Sequence, residues 1–221
     1  MQIEHEAQIE GTRETPASIP QITQLLESGK REQARHARGA AILIPLLPNE
    51  NGLHVLFEVR AAHLTRQPGE VCLPGGHIES GEPPREAAIR EACEELLIEP
   101  SQVQIVSDLG EMIGPGGLPL WVFVGSLDDY RGTFDPEEVD STFTVPLAYF
   151  LETEPTIYRT QLKAVIPDDL PWDVIPKGRD YPWRPHRHEI PFYLETSPII
   201  WGFTARVMHL LAKLLKAGMQ S

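Results

Sequence analysis

Cysteine is scarce in this chain: Cys72 and Cys93 are the only two among 221 residues. Two thiols make no framework of the kind that staples small secreted domains, and a chain of this length buries a full core without one. Their neighbours read both as small, buried, apolar side chains. Long hydrophobic runs are missing as well. The longest, Ala40–Leu47, falls far short of the roughly 20 residues a bilayer-spanning helix needs. The opening Met-Gln-Ile-Glu-His-Glu has no basic segment leading into an apolar one, so no secretory leader is expected and the expected location is cytoplasmic. Positive charge is also short. Lys and Arg number 19 against 32 Asp and Glu, a formal net charge of −13. Such a chain is unattractive to nucleic-acid backbones and anionic membranes, so neither is an expected partner. An anionic substrate would need cations to bring it in.

What is present reads as a short N-terminal extension, residues 1–34, followed by one mixed α/β domain of the α+β class, residues 35–221. Ser18-Ile-Pro can open a short helix in the extension, with Ile22, Leu25 and Leu26 on one face before Gly29. Ala40–Leu47 and Leu53–Arg60, separated by the turn signal Asn49-Glu-Asn-Gly, predict a β-hairpin. A short run at Val71–Leu73 precedes Pro74-Gly75-Gly76. Further strands are expected at Val103–Val106, Leu120–Ser126 and Val139–Val145, with an acidic loop at Asp135-Pro-Glu-Glu. A proline-rich, aromatic stretch, 167–185, carries Trp172 and Trp183, and a last helix is expected from about Pro198 to Lys216. There is no internal repeat and no low-complexity tract.

The segment between Gly81 and Pro100 concentrates acid: Arg90-Glu91-Ala92-Cys93-Glu94-Glu95-Leu96-Leu97. Proline is tolerated in a first turn, so a helix begins near Pro83. On a wheel of 100° per residue, Ile89, Ala92, Cys93 and Leu96 form one stripe for packing on a sheet. Glu91, Glu94 and Glu95 cluster nearly opposite it, and like charges at this spacing cost roughly 0.2–0.5 kcal/mol per pair. Within the helix only Arg90, four residues before Glu94, offers relief. Two readings stand side by side: a solvated acidic face, or oxygen ligands for a hard divalent cation. Pro74-Gly75-Gly76 just upstream, where glycine permits close backbone approach to a ligand, favours the second and points to a site for metal and phosphate.

Gly76, five residues, Glu82, seven residues and then Arg90-Glu91-Ala92-Cys93-Glu94-Glu95 resembles the Nudix box. Six matching residues at fixed spacing are a specific signal. The resemblance implies an α/β/α sandwich around a mixed β-sheet that hydrolyses a nucleoside diphosphate linked to another moiety. It also implies Mg2+ or Mn2+ held by Glu91 and Glu95, with Glu94 nearby and the Gly76 carbonyl. Glu82 and Arg90 orient the box in such enzymes. A carboxylate beside the metals takes the proton of the attacking water; Glu95 is the nominee, with Glu138 and Glu189 as loop alternatives. The box position two residues after Glu95 is usually glycine and here is Leu97. A left-handed leucine costs roughly 1–2 kcal/mol, so the expectation is a helix that runs on and stops before Pro100.

Arg60, Leu64, Gly69, Val71 and Pro74-Gly75-Gly76 resemble the motif that precedes the box in coenzyme A pyrophosphatases. Ala61, Gln67 and Leu73 stand where that motif has serine, histidine and phenylalanine. Phe143-Thr-Val-Pro-Leu147 and Ile200-Trp-Gly-Phe-Thr-Ala205 resemble later segments of the same family, so the likeness spans roughly residues 36–215. It implies a coenzyme A-like small-molecule substrate, split into adenosine 3′,5′-bisphosphate and 4′-phosphopantetheine, with Arg60, Gly69, Gly75 and Gly76 toward the substrate. A homodimer stays open as the assembly. Alternatives are a Nudix hydrolase of ADP-ribose or another nucleoside diphosphate derivative, and a module that binds a nucleotide without cleaving it. Outside the box the plain readings are expected to hold: Trp201 as a core aromatic at a helix start, and His186 and His188 as loop residues rather than metal ligands. For Arg60 a solvated strand end competes with a phosphate contact.

Overall fold

The computed structural model describes residues 20, 22–25, 39–50 and 52–220. The chain divides into two units between Ala37 and Arg38. In the first, Pro20 and Ile22–Leu25 are helical, and the rest of the helix expected there lies outside the described residues.

In the second unit, β1 (Ala40–Asn49) and β2 (Gly52–Arg60) form the hairpin, with Asn49 opposite Gly52. Both strands read as nearly continuous apolar runs because the sheet is covered on both faces. Ala41 and Leu43 point to one apolar layer, and Ile42 and Ile44 to the other. After β3 (Val71–Cys72), β4 (Gly75–His77) and helix α1 (Pro84–Leu96) come β5 (Val103–Ile113), β6 (Pro119–Leu127) and β7 (Val139–Pro146). These seven strands form one sheet in the order β3-β2-β1-β6-β5, with β4 also on β1 and β7 also on β2. The β1–β6 pair is parallel and the others antiparallel, so the sheet is mixed. Strand β5 runs seven residues beyond the expected Val106. Register shifts between Ile105 and Ser107 and between Asp108 and Glu111 break its alternation, which hides the continuation from a period-2 pattern.

Helix α1 covers one face of the sheet through Ala87, Ala88, Ala92 and Leu96. The other face packs against α2 (Leu147–Glu152) and α3 (Gly202–Met219), with Phe150, Val207, Met208 and Leu211 as the main anchors. A small antiparallel sheet, β8 (Thr156–Leu162), β9 (His186–Tyr193) and β10 (Ile200–Trp201), adds Tyr193 and Ile200 to that layer. The fold is therefore the expected α/β/α arrangement around a mixed sheet. No helix among the described residues is long and apolar enough to cross a membrane.

Three local expectations need correction. His186 and His188 fall in strand β9, not in a loop. The last helix starts at Gly202, because Ile200 and Trp201 pair with Tyr193 and Phe192 as β10. Trp201 is accordingly not a core residue: it is 41% exposed and stacks on Phe192 with ring centroids 5.6 Å apart.

Two pairings make the site possible. β1 and β2 pair only from Leu46/Val55 to the hairpin turn. Beyond that they diverge: β3 joins β2 at Glu58 and Val59, β4 joins β1 at Ala40–Ile42, and the Leu43 N–H reaches the Pro74 carbonyl at 2.9 Å. The Pro74-Gly75-Gly76 turn thus sits in the wedge between the splayed strands, where α1 crosses.

Candidate active site

Helix α1 lacks a side-chain cap at its N-terminus but carries Pro84 in its first turn, where a missing N–H costs nothing. Its packing face is mostly alanine, so its backbone lies close to the sheet. That closeness sets the geometry of the glutamates. Glu94 is 58% exposed, Glu91 is 18% exposed and Glu95 is buried at 3%. The three carboxylates therefore do not share one face turned away from the core. Glu95 lies on the flank of the apolar stripe and enters the wedge, where its Oε2 accepts the Gly75 N–H at 2.7 Å.

Arg90 organises the remainder. Its Nε and Nη2 grip both oxygens of Glu82 at 2.9 and 3.0 Å, a bidentate pair. Its Nη1 donates to Glu91 and Glu94, each at 3.0 Å, and Nη2 also reaches the His77 carbonyl. Relief from repulsion thus extends to the adjacent Glu91, not only to Glu94. The Arg90 guanidinium holds the Glu82 carboxyl below the usual carboxylate range. Burial pushes Glu91 up, against the pull of Arg90. Burial raises Glu95 well above its ordinary value, and the charge of Glu58 adds to that.

The glycines make room for the protein itself. A Cβ on Gly76 would stand 2.3 Å from a Glu91 oxygen, and one on Gly75 the same distance from the Ala41 carbonyl. Gly75 also has φ +146°, a backbone only glycine adopts readily. Gly69, at φ +72°, closes the loop after β2 by donating its N–H to the Arg60 carbonyl at 3.0 Å. The Arg60 side chain touches the Arg66 carbonyl at 3.4 Å, and its charge acts on Glu58 and Cys72.

Glu58 was not singled out from the sequence. It stands on β2 opposite Cys72, is wholly buried, and faces Glu95. Burial pushes its carboxyl up to about 8. The signal was available: it is the one acidic residue in the strand Leu53–Arg60, on the same face as the buried Leu56. The two cysteines are free and only partly buried, and Cys72 directs its thiol to Glu58 at 3.8 Å.

The exit of α1 differs from expectation. The helix ends at Leu96, and Leu97 does take the left-handed conformation, φ 52° and ψ 51°. The Ile98 N–H bonds back to the Cys93 carbonyl at 3.2 Å, the 6→1 bond of a Schellman motif. The last carbonyls gain partners from the loop between β6 and β7: Asp135 N–H to Glu95 at 2.8 Å and Thr133 Oγ1 to Leu96 at 2.7 Å. These bonds over-determine the turn and hold the strain of a non-glycine residue there. They also anchor the loop that carries Glu138, whose charge reaches Glu58, Glu91 and Glu95. Glu189 is elsewhere, on β9, paired with Arg159 at 3.0 Å.

Among the described residues, no three His, Cys, Asp or Glu side chains already stand at metal-ligand spacing. The donor set nevertheless fits a hard divalent cation. It is all oxygen, its carboxylates repel one another, and one buried oxygen, Glu58 Oε1, has no hydrogen-bond partner. To serve as ligands, Glu91 and Glu94 would exchange Arg90 for the cation.

The NUDIX domain model matches residues 37–164, and the chain belongs to the Nudix hydrolase family. It is 32% identical over 179 residues to a mouse (Mus musculus) protein described as peroxisomal coenzyme A diphosphatase NUDT7, covering 79% of this chain and 69% of that one. It is also 32% identical over 200 residues to the Nudix hydrolase NudL of Enterobacter sp., covering 89% and 92%. Among solved structures, a Nudix hydrolase from M. smegmatis, RenU, aligns at TM-score 0.44 with 26% identity, over 51% of this chain and 73% of that one.

Proposed function

We propose that this protein is a divalent-cation-dependent pyrophosphohydrolase that cleaves coenzyme A or its derivatives, releasing adenosine 3′,5′-bisphosphate and 4′-phosphopantetheine or its acyl form. The observation that carries the reading is the position of the Arg60–Gly76 motif. It runs from the end of β2 into the very turn that receives Glu95, so the motif typical of coenzyme A pyrophosphatases and the box carboxylates border one wedge. The similarity to the mouse diphosphatase supports the same substrate class.

Glu91, Glu95 and the Gly76 carbonyl would hold Mg2+ or Mn2+, with Glu94 nearby. Such an ion neutralises pyrophosphate oxygens and lowers the pKa of bound water. Until the cation binds, Arg90 keeps Glu91 and Glu94 aligned by bridging both to Glu82. Glu95, raised in pKa and fixed by Gly75, is suited to accept the proton of the attacking water; Glu138 is the alternative base. Residues 35–221 form the hydrolase domain in this reading.

Purified protein assayed with Mg2+ or Mn2+ against coenzyme A, its thioesters, ADP-ribose, NADH and dinucleoside polyphosphates provides the test. Coenzyme A and its thioesters are expected to show the highest kcat/KM. Faster turnover of ADP-ribose would transfer the assignment to that substrate, and no turnover of any would leave a nucleotide-binding module.

A further inference from the structure

Glu58 and Glu95 are the two buried carboxylates among the described residues, and only Glu95 belongs to the box. Nothing in the packing of β2 calls for a carboxylate at 58. Leu56, two residues back on the same face, lies in the apolar layer against α1, and an aliphatic side chain would continue that layer. A buried carboxyl short of hydrogen-bond partners carries a desolvation cost, and Glu58 is poorly compensated. No hydrogen-bond partner reaches its Oε1, and its Oε2 accepts from the weak thiol donor of Cys72 at 3.8 Å. Arg60 is the cation whose charge acts on it; its Nε reaches the Arg66 carbonyl at 3.4 Å and its side chain also bonds the Cys72 thiol rather than Glu58 itself. The other groups that act on Glu58 are acidic: Glu138, from the loop anchored on the end of α1, by like charge, and Glu95, whose carboxyl lies within hydrogen-bonding reach. A cost of this kind persists where it serves function.

We propose that Glu58 is a positioning residue of the cation site. It backs Glu95 from inside the sheet, holds that carboxylate against the Gly75 N–H, and so fixes the ligand that a divalent cation in the wedge would take. The geometry gives the reason. With a second buried carboxyl behind it, Glu95 has one fixed backbone donor, the Gly75 N–H at 2.7 Å, and that donor belongs to the turn whose next carbonyl is Gly76. The inference rests on the cation-dependent reading above and extends it to a residue outside the box.

A group retained for function at a cost in stability behaves differently on removal from a structural one. The test compares wild type with Glu58→Gln, which keeps the shape, and Glu58→Leu, which keeps the packing without the carboxyl. Melting temperatures are measured on metal-free protein, Mn2+ binding by titration calorimetry without substrate, and steady-state kinetics at saturating Mn2+. Both variants are expected to melt at or above the wild-type temperature. Both are expected to bind Mn2+ about 10- to 100-fold more weakly, the range seen for groups that orient metal ligands. In Glu58→Gln the loss is expected in kcat, with KM little changed. A lower melting temperature in both variants would make Glu58 a structural group and overturn the inference. Wild-type Mn2+ affinity in Glu58→Gln sinks it while leaving the cation-dependent reading intact, whereas a wild type that binds no Mn2+ removes both.

Discussion

Helices α1 and α3 pack on opposite faces of one sheet and are built in opposite ways. Helix α3 buries large apolar groups, Val207, Met208 and Leu211, and holds the layer that includes Phe57, Phe150 and Tyr193. Helix α1 buries three alanines and one leucine together with a glutamate. Small residues contribute less hydrophobic free energy, about 0.8 kcal/mol per buried methylene forgone. They let the helix lie close enough for Glu95 to reach the wedge between β1 and β2. One helix secures the fold, and the other gives up part of that stabilisation to bring charge beside the sheet.

Substitutions can break this contrast. The largest effect is expected from Glu95→Gln and Glu91→Gln, each lowering kcat on the order of 100-fold or more with the fold retained; wild-type turnover in both, with circular dichroism unchanged, would place the chemistry elsewhere. Met208→Ala in α3 should do the reverse. It removes a fully buried side chain and should cost about 2–5 kcal/mol in denaturant unfolding, while kcat per folded molecule stays at the wild-type level. Gly76→Ala would drive a Cβ into the Glu91 carboxylate, so a loss of kcat of about 10-fold or more is expected from misplacement alone, with a smaller change in melting temperature.

Two subtler predictions sharpen the comparison. In the metal-free protein the Glu58 carboxyl sits at about 8 against an ordinary 4.5. Between those values the folded state holds a proton that the unfolded state has released. Stability must therefore fall as pH rises through this window, and melting curves from pH 5 to 8 should show that decline in wild type and a flatter profile in Glu58→Gln. Leu97→Gly is the mildest change. Leu97 is 56% exposed and left-handed, so glycine should raise stability by about 1 kcal/mol, the relieved strain less the added freedom of the unfolded chain. A destabilised Leu97→Gly would mean that the leucine side chain holds the exit in a way its exposure does not show.

Much was legible along the chain because it depends on local periodicity and spacing. The hairpin from Ala40 to Arg60, the proline-started helix, and the Gly76–Glu95 spacing follow from strand alternation, turn chemistry and the 3.6-residue period. The covered sheet follows from apolar runs without alternation. The burial of Glu95 was not legible, because a helical wheel treats the sheet as a flat surface below the stripe. Here the sheet opens where β1 leaves β2, and the flank of α1 meets protein rather than solvent. The surroundings of Glu58 were hidden for the same reason: apart from Arg60, the groups that act on it come from β3, α1 and the loop after β6, none of them near in sequence.

The left-handed Leu97 completes the division. Local strain argued for a helix running on to Pro100, and in an isolated segment that reasoning holds. In the folded chain the Asp135 N–H and the Thr133 hydroxyl bond the last carbonyls of α1, and these long-range hydrogen bonds outweigh a strain of about 1–2 kcal/mol. The sequence by itself determined the central strands and the box helix, which residues make the box, and the family to which the chain belongs. Only the tertiary structure decided which carboxylates are buried, what faces them, and where the helix ends, because those are set by burial and by partners that the chain brings together from a distance.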